Sequence, residues 1–237
     1  SSRKNGGKDM AKQIWKPGNM LYPLPAVMVS TADKSGKSNI ITVAWTGTVC
    51  TNPAMLYISV RPERYSYDLL KDSGEFVVNL TTEKLKKATD WCGVRSGRDV
   101  DKWEEMHLTA GKASKLDYAP IIEECPVNIE CKVTEIKELG SHHMFLAKVE
   151  AVQVGEEYLD EKGRLQLGKA GLLAYSHGEY LTLGDSLGTF GWSVRKAPAP
   201  GKDSVSKNNK KNAGKKPVSK KNKKSTGKKT TSGKRKK

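Results

Sequence analysis

The chain has 237 residues, with 42 Lys and Arg against 26 Asp and Glu, for a formal charge of +16. That length supports one large domain or two small ones, and no run of about 18 apolar residues occurs, which excludes a membrane-spanning helix. The charge is concentrated at one end: Arg195 to Lys237 holds 18 basic residues against Asp203 alone, which leaves 24 basic and 25 acidic residues in 1–194.

Residues 1–9 (SSRKNGGKD) read as a disordered leader before Met10, without the apolar core of a signal peptide. The segment 10–23 is punctuated by Pro17, Gly18 and Pro23. Ala26–Ala32 (AVMVSTA) predicts a strand and Asp33–Ser38 its turn. Asn39–Thr46 predicts the next strand, ending in a small-polar turn at Thr46, Gly47 and Thr48. Met55–Arg61 follows, joined through Asn52–Pro53. Tyr67–Lys71 predicts a short helix with Ser66 as N-cap and Gly74 as its stop. Glu75–Leu80 has three consecutive apolar residues, the pattern of a strand covered on both faces.

Thr82 is expected to cap a helix running to Trp91 and ending near Gly93. Val94–Val100 is a basic loop, and Asp101–Met106 gives one or two helical turns. Val127–Ile136 and Phe145–Val154 alternate as strands, and 172–183 forms a last pair of short strands around His177–Gly178. Many short strands with only brief helices argue for a mainly β chain, a β-barrel with helical insertions, and against a doubly wound sheet.

The body is therefore placed at 10–195. From Lys196 onward apolar residues almost vanish, and 196–237 is expected to be a disordered Lys-rich tail. Three uses remain open for it: a solubilising segment, an electrostatic arm for nucleic acid, or an arm for anionic lipid. No aromatic residue follows Trp192, so base stacking is not on offer and any polyanion binding is expected to be non-specific and salt-dependent. Cys50, Cys92, Cys125 and Cys131 show no CxxC spacing, which favours reduced thiols in a cytoplasm over a disulfide or metal site.

Four groups of residues can carry chemistry. Arg64 and Ser66 ahead of a helix suit an anion such as a phosphomonoester, although Asp68 in the same turn also fits an ordinary cap. Asn39 and Trp45 are six apart, which in a regular strand puts both on one face, able to bond the rim of a heteroaromatic ring and to flank it. The loop SGRDVDKW (96–103) brings Arg98 and Lys102 forward, and Lys102 can neutralise a phosphate or an electron-rich ring edge. In Gly140–Ser141–His142–His143 adjacent side chains point to opposite faces, so only one His lines a given pocket and a two-His metal site is disfavoured. Nucleophile elbows, P-loops and GxGxxG are missing. Taken in order along 39–79, a strand, a small-polar turn, a second strand and a helix opened by a hydroxyl suggest a flavin nucleotide site.

The motifs NIITVAWTGTVCTNP, RPERYSYDLLKDSGEFVVNL, SGRDVDKW and GSHHMFLAKVEAV make residues 15–190 resemble the flavin reductase-like family, the FMN-binding split barrel, and within it the flavoredoxin-type members. The resemblance implies a Greek-key split barrel that forms a homodimer and holds FMN near the subunit interface. It implies that Asn39 and Trp45 contact the flavin, that Ser66 assisted by Arg64 binds the phosphate, and that Lys102, His142 and Tyr175 complete the site. Backbone N–H groups from Thr46 through Thr48 to Cys50 are expected beside the ring. NAD(P)H is the expected electron donor; free flavin, iron or a redox protein is the expected acceptor. Three functions follow: an NAD(P)H-dependent flavin reductase, a flavoredoxin-like carrier without nicotinamide turnover, and a non-redox binding barrel with a nucleic-acid tail. Where the family often has an acid before the histidine, this chain has Ser141, and the Lys-rich tail is outside the family pattern.

Overall fold

The computed structural model describes residues 11–196; the leader 1–9 and all but the first residue of the 196–237 tail lie outside the described residues. Packing divides the chain at Ser186/Leu187. In the second unit the described residues hold one 3-10 turn, Trp192–Val194.

Among the described residues the first unit is built from twelve strands and three α-helices. In chain order these are β1 (Leu24–Pro25), β2 (Val27–Ala32), β3 (Ser38–Val43), β4 (Thr46–Cys50), β5 (Met55–Val60), α1 (Tyr65–Ser73) and β6 (Glu75–Asn79). Then come α2 (Lys86–Val94), α3 (Lys102–Glu105), β7 (Ala110–Gly111), β8 (Ile121–Ile122), β9 (Val127–Glu138), β10 (His143–Val154), β11 (Leu173–Ser176) and β12 (Glu179–Thr182).

Seven strands make one antiparallel sheet in the order β3-β2-β6-β9-β10-β5-β4. β3 and β4 are its two outermost strands, yet only Ala44 and Trp45 separate them in sequence. Three Cα–Cα steps span at most about 11 Å, so the sheet must curl until its margins meet. The Trp45 carbonyl, accepting from Ser59 N at 2.9 Å, holds that link against β5.

This curl decides what is buried. Val27 and Val29 of β2, Ile41 and Val43 of β3, and Phe76 and Val78 of β6 share the interior with Ile58, Phe145 and, from α1, Tyr67 and Leu70. Phe76 and Phe145 are fully buried, and truncating either to Ala is worth about 3–5 kcal/mol. The alternate residues of the same strands are covered from outside. Met28 and Ile40 pack under α2 with Ala88 and Cys92, and Val77 lies beneath the loop holding Leu116 and Ala119. That double cover is why β2 and β6 read as unbroken buried strands.

Three local expectations are corrected. Thr46–Gly47–Thr48 is not a turn but the start of edge strand β4, paired to β5; the chain bends earlier, at Ala44–Trp45. Arg64, not Ser66, is the N-cap of α1, and Ser66 is buried inside the first turn. Thr82 precedes a 3-10 turn at Glu83–Leu85, and the α-helix itself begins at Lys86. Gly74 ends α1 as expected, at φ 68°, a left-handed conformation that glycine adopts without penalty.

A second small sheet, β1-β11-β12, stands beside the barrel. Its hairpin turns on His177 and Gly178, both at positive φ, as two-residue turns of the twisted hairpin type require. No helix among the described residues is long and apolar enough to cross a membrane. Cys92, Cys125 and Cys131 are buried thiols, and burial pushes that of Cys92 up to about 11.

Candidate functional site

β3 and the first turn of α1 meet at the bottom of a cleft. Asn39 is 4% exposed and Ser66 0%, and Asn39 Nδ2 donates to Ser66 Oγ at 2.8 Å. With its oxygen accepting from Asn39, the Ser66 hydroxyl proton is free for a ligand. The helix start also leaves the Tyr65 and Ser66 N–H groups without an intrahelical acceptor. Arg64, Arg95, Arg98 and Lys102 line this 260 Å³ hollow against a single acid, Glu63. Helix dipole and lining charge both favour an anion there.

Two constraints shape that hollow. Gly97 passes so close that a Cβ there would fall 2.4 Å from Asn39 Oδ1 and 2.5 Å from Tyr65 Cδ1. Lys102, expected on an open loop, is 2% exposed at the first turn of α3, whose cap is the Asp101 carboxylate. Its Nζ donates to the carbonyls of Ile40 at 2.7 Å and Cys92 at 2.8 Å, leaving one donor of three. Burial lowers its pKa to about 8, the neighbouring Cys92 acting against that shift and Arg64 with it.

Ile41, Arg64 and Val94 also line the adjoining cavity, about 460 Å³, so the two form one run. This larger half follows the chain from Ile41 in β3 through the bend at Trp45 and is bounded by His142, Arg61, Tyr175, Tyr180 and Asp90. Trp45 and His142 stack with ring centroids 6.5 Å apart and 21° between planes. Ser141 Oγ lies 2.9 Å from His142 Nδ1 and fixes the ring. Burial, with Arg61 adding to it, lowers the His142 pKa, so the imidazole is neutral at pH 7. The next residue, His143, turns away to Tyr67, with Nδ1 2.6 Å from the phenol oxygen, as adjacent positions require.

Seven of the nine expected residues are thus brought to one groove: Asn39, Arg64, Ser66 and Lys102 at its basic end, and Trp45, His142 and Tyr175 at its wide end. Asn39 and Trp45 do not share a strand face as the spacing suggested, because β3 ends at Val43. Thr46 and Thr48 are not in the groove. The Thr46 hydroxyl donates to Tyr57 O, and Thr48 is exposed on the edge strand. Sequence reasoning missed Gly97's close approach, although the SGRD loop was singled out, and it missed Asp90 and Tyr180, which reach the groove only through tertiary packing.

Residues 20–184 match the family model of the flavin reductase like domain. The chain belongs to the flavin reductase like family. Among solved structures, this flavin reductase like protein is similar to the flavoredoxin of Desulfovibrio vulgaris (Miyazaki F), 26% identical with a TM-score of 0.72 over 78% of this chain and 100% of that one. It is also similar to the flavoredoxin of Methanosarcina acetivorans, 31% identical with a TM-score of 0.70 over 77% and 97%. A third likeness is to an FMN-binding protein from Thermus thermophilus, 25% identical, TM-score 0.64, over 75% and 99%. The fold of this flavin reductase like protein is a split barrel, and its class of function is flavin-linked redox chemistry.

Proposed function

We propose that the groove holds FMN and that the protein is an NAD(P)H-dependent flavin oxidoreductase. The observation that carries this reading is the continuity of a basic, helix-terminated hollow with an aromatic-flanked cavity of about 460 Å³, within the usual size range of cofactor pockets. The fit is specific at Gly97, where any side chain would fill the space between Asn39 and Tyr65.

In this reading the Ser66 hydroxyl, the Arg64 guanidinium and the free N–H groups of α1 hold the phosphate. Lys102 adds positive charge from below, and its bonds to the Ile40 and Cys92 carbonyls tie it to both walls. Trp45 and His142 flank the ring. FMN, when bound, supplies two-electron chemistry. The side chains bind and orient, and none is required as a nucleophile.

Anaerobic stopped-flow mixing of FMN-loaded protein with NADH and with NADPH tests the reading. Bleaching of the flavin absorbance by either nucleotide supports a reductase. A yellow protein that neither bleaches supports a flavoredoxin-like carrier, which the two flavoredoxin likenesses favour as second reading. A colourless protein that ignores added FMN refutes both. Free flavin, iron or a redox protein is the proposed acceptor. A homodimer is proposed as the assembly, supported by exposed Ile14, Trp15 and Leu21 on the leading segment and measured by light scattering. The basic residues after Lys196 are proposed to bind polyanions, measured as salt-dependent retention on DNA.

A further inference from the structure

The wide end of the groove carries a cation that the flavin reading leaves unused. β5 and β10 run antiparallel with Val60 opposite His143, so one step further Arg61 comes opposite His142, and both line the wide cavity. After burial, Arg61 is the largest cause of the lowered His142 pKa. Two arginines, Arg61 and Arg64, face one acid there, Asp90. Asp90 is already engaged, its Oδ1 accepting the Tyr180 hydroxyl at 3.1 Å. Arg64 is engaged too, donating from Nη2 to Gly93 O at 2.9 Å. Arg61 is held only by a loose 3.9 Å contact with Glu63, and Glu63 lines the basic end of the groove, not this cavity.

We propose, resting on the FMN reading and deepening it, that Arg61 anchors a second ligand in the wide end: a small aromatic carboxylate whose ring lies against the seated flavin. A guanidinium fork matches a carboxylate with two parallel hydrogen bonds, which sets the orientation of the ligand as well as its charge. His142 can add a third. Its Nδ1 lies 2.9 Å from Ser141 Oγ, and when Ser141 donates to that nitrogen the proton of the neutral ring sits on Nε2, a donor. The ring of the ligand finds flat neighbours in Trp45 and in Tyr175 and Tyr180, whose centroids are 5.7 Å apart. A cavity of about 460 Å³ that takes a flavin ring leaves space for a small second ring. Because the Arg61 side chain is 49% exposed, water screens its charge, and the selectivity it gives is modest.

The test is calorimetric and needs no turnover. FMN-loaded wild-type protein, Arg61→Gln and Arg61→Lys are titrated with benzoate, with its uncharged isostere benzamide, and with ADP-ribose, a diphosphate without an aromatic carboxylate; the flavin absorbance is recorded alongside. Benzoate is expected to bind wild-type protein about fivefold more tightly than benzamide and to perturb the flavin band. Arg61→Gln is expected to erase that preference and Arg61→Lys, which keeps the charge but not the fork, to retain part of it, with FMN affinity at the wild-type value in both. Equal or absent binding of benzoate and benzamide, a preference indifferent to Arg61, or binding that leaves the flavin band unmoved overturns the proposal and leaves FMN binding standing. An Arg61→Gln protein that loses ADP-ribose but keeps benzoate also overturns it, since the arginine then serves a diphosphate. So does one that loses FMN, since the arginine then serves the flavin. Wild-type protein that takes no FMN overturns the proposed function and this proposal together.

Discussion

Asn39 and Ser66, 27 positions apart, meet through one buried hydrogen bond of 2.8 Å, and that bond joins the sheet to the helix that closes the basic end of the groove. Replacing Ser66 by Ala strands a buried amide donor. A loss of about 1–3 kcal/mol in folding stability is expected, measured by urea denaturation. Ser66→Ala combined with Arg64→Ala also removes the two proposed phosphate donors, and FMN affinity is expected to fall roughly 10- to 100-fold. An unchanged FMN titration in the double variant would remove both residues from the site.

Gly97→Ala is a steric test of the same corner. The new methyl would sit 2.4 Å from Asn39 Oδ1, so Asn39 or the 95–101 loop has to move. The expected cost is about 1–3 kcal/mol, with FMN affinity reduced alongside. Gly93→Ala is the comparison: its methyl meets Thr42 Cβ at 3.2 Å, a smaller intrusion, and its thermal midpoint should fall less.

Lys102 is expected to give the proposed FMN binding a pH dependence. Its folded pKa, about 8, lies below the ordinary lysine value of 10.5. A bound phosphate favours the charged ammonium, so affinity is expected to be full below pH 8 and to weaken above it. Lys102→Met should bind FMN less tightly at pH 7 and lose that dependence. For folding the sign is opposite: between about 8 and 10.5 the unfolded chain holds a proton that the folded chain releases, so this residue's contribution to stability improves as pH rises through that window. Calorimetric titrations from pH 6.5 to 9.5 check the first statement, and denaturation over pH 7 to 10.5 the second.

Glu130 anchors the loop over the outer face of β6. Burial acts to raise its pKa, but hydrogen bonds from Gln153, Ser114 and Lys115 overcome that and hold it below 4.5. A depressed carboxylate pKa gives stability that is present above the unfolded value and lost as pH falls through the folded one. Glu130→Gln is therefore expected to cost about 1–3 kcal/mol at pH 7 and to flatten the decline of thermal stability below pH 4.5.

The strand pattern was legible because β2 and β6 are covered on both faces and their apolar runs are unbroken. Gly74 was equally readable, since a helix stop acts within a few residues. What the sequence hid depends on closure of the sheet. The bend at Ala44–Trp45 carries no glycine or proline, and it follows from β3 and β4 being opposite margins. Lys102 looked like a surface lysine because the carbonyls that bury it come from Ile40 and Cys92, 62 and 10 residues away. Ser66 looked like a cap because its partner Asn39 lies on another element. Asp90 has no local mark distinguishing it from any helix-surface acid until Tyr180 reaches it.

The two-residue bridge at Ala44–Trp45 makes the seam of the barrel and the floor of the groove the same piece of chain. A planar molecule resting on Trp45 therefore acts as a clasp. Once it is seated, prying β3 from β4 means evicting it, so amide protons on both margins should exchange more slowly in step with occupancy.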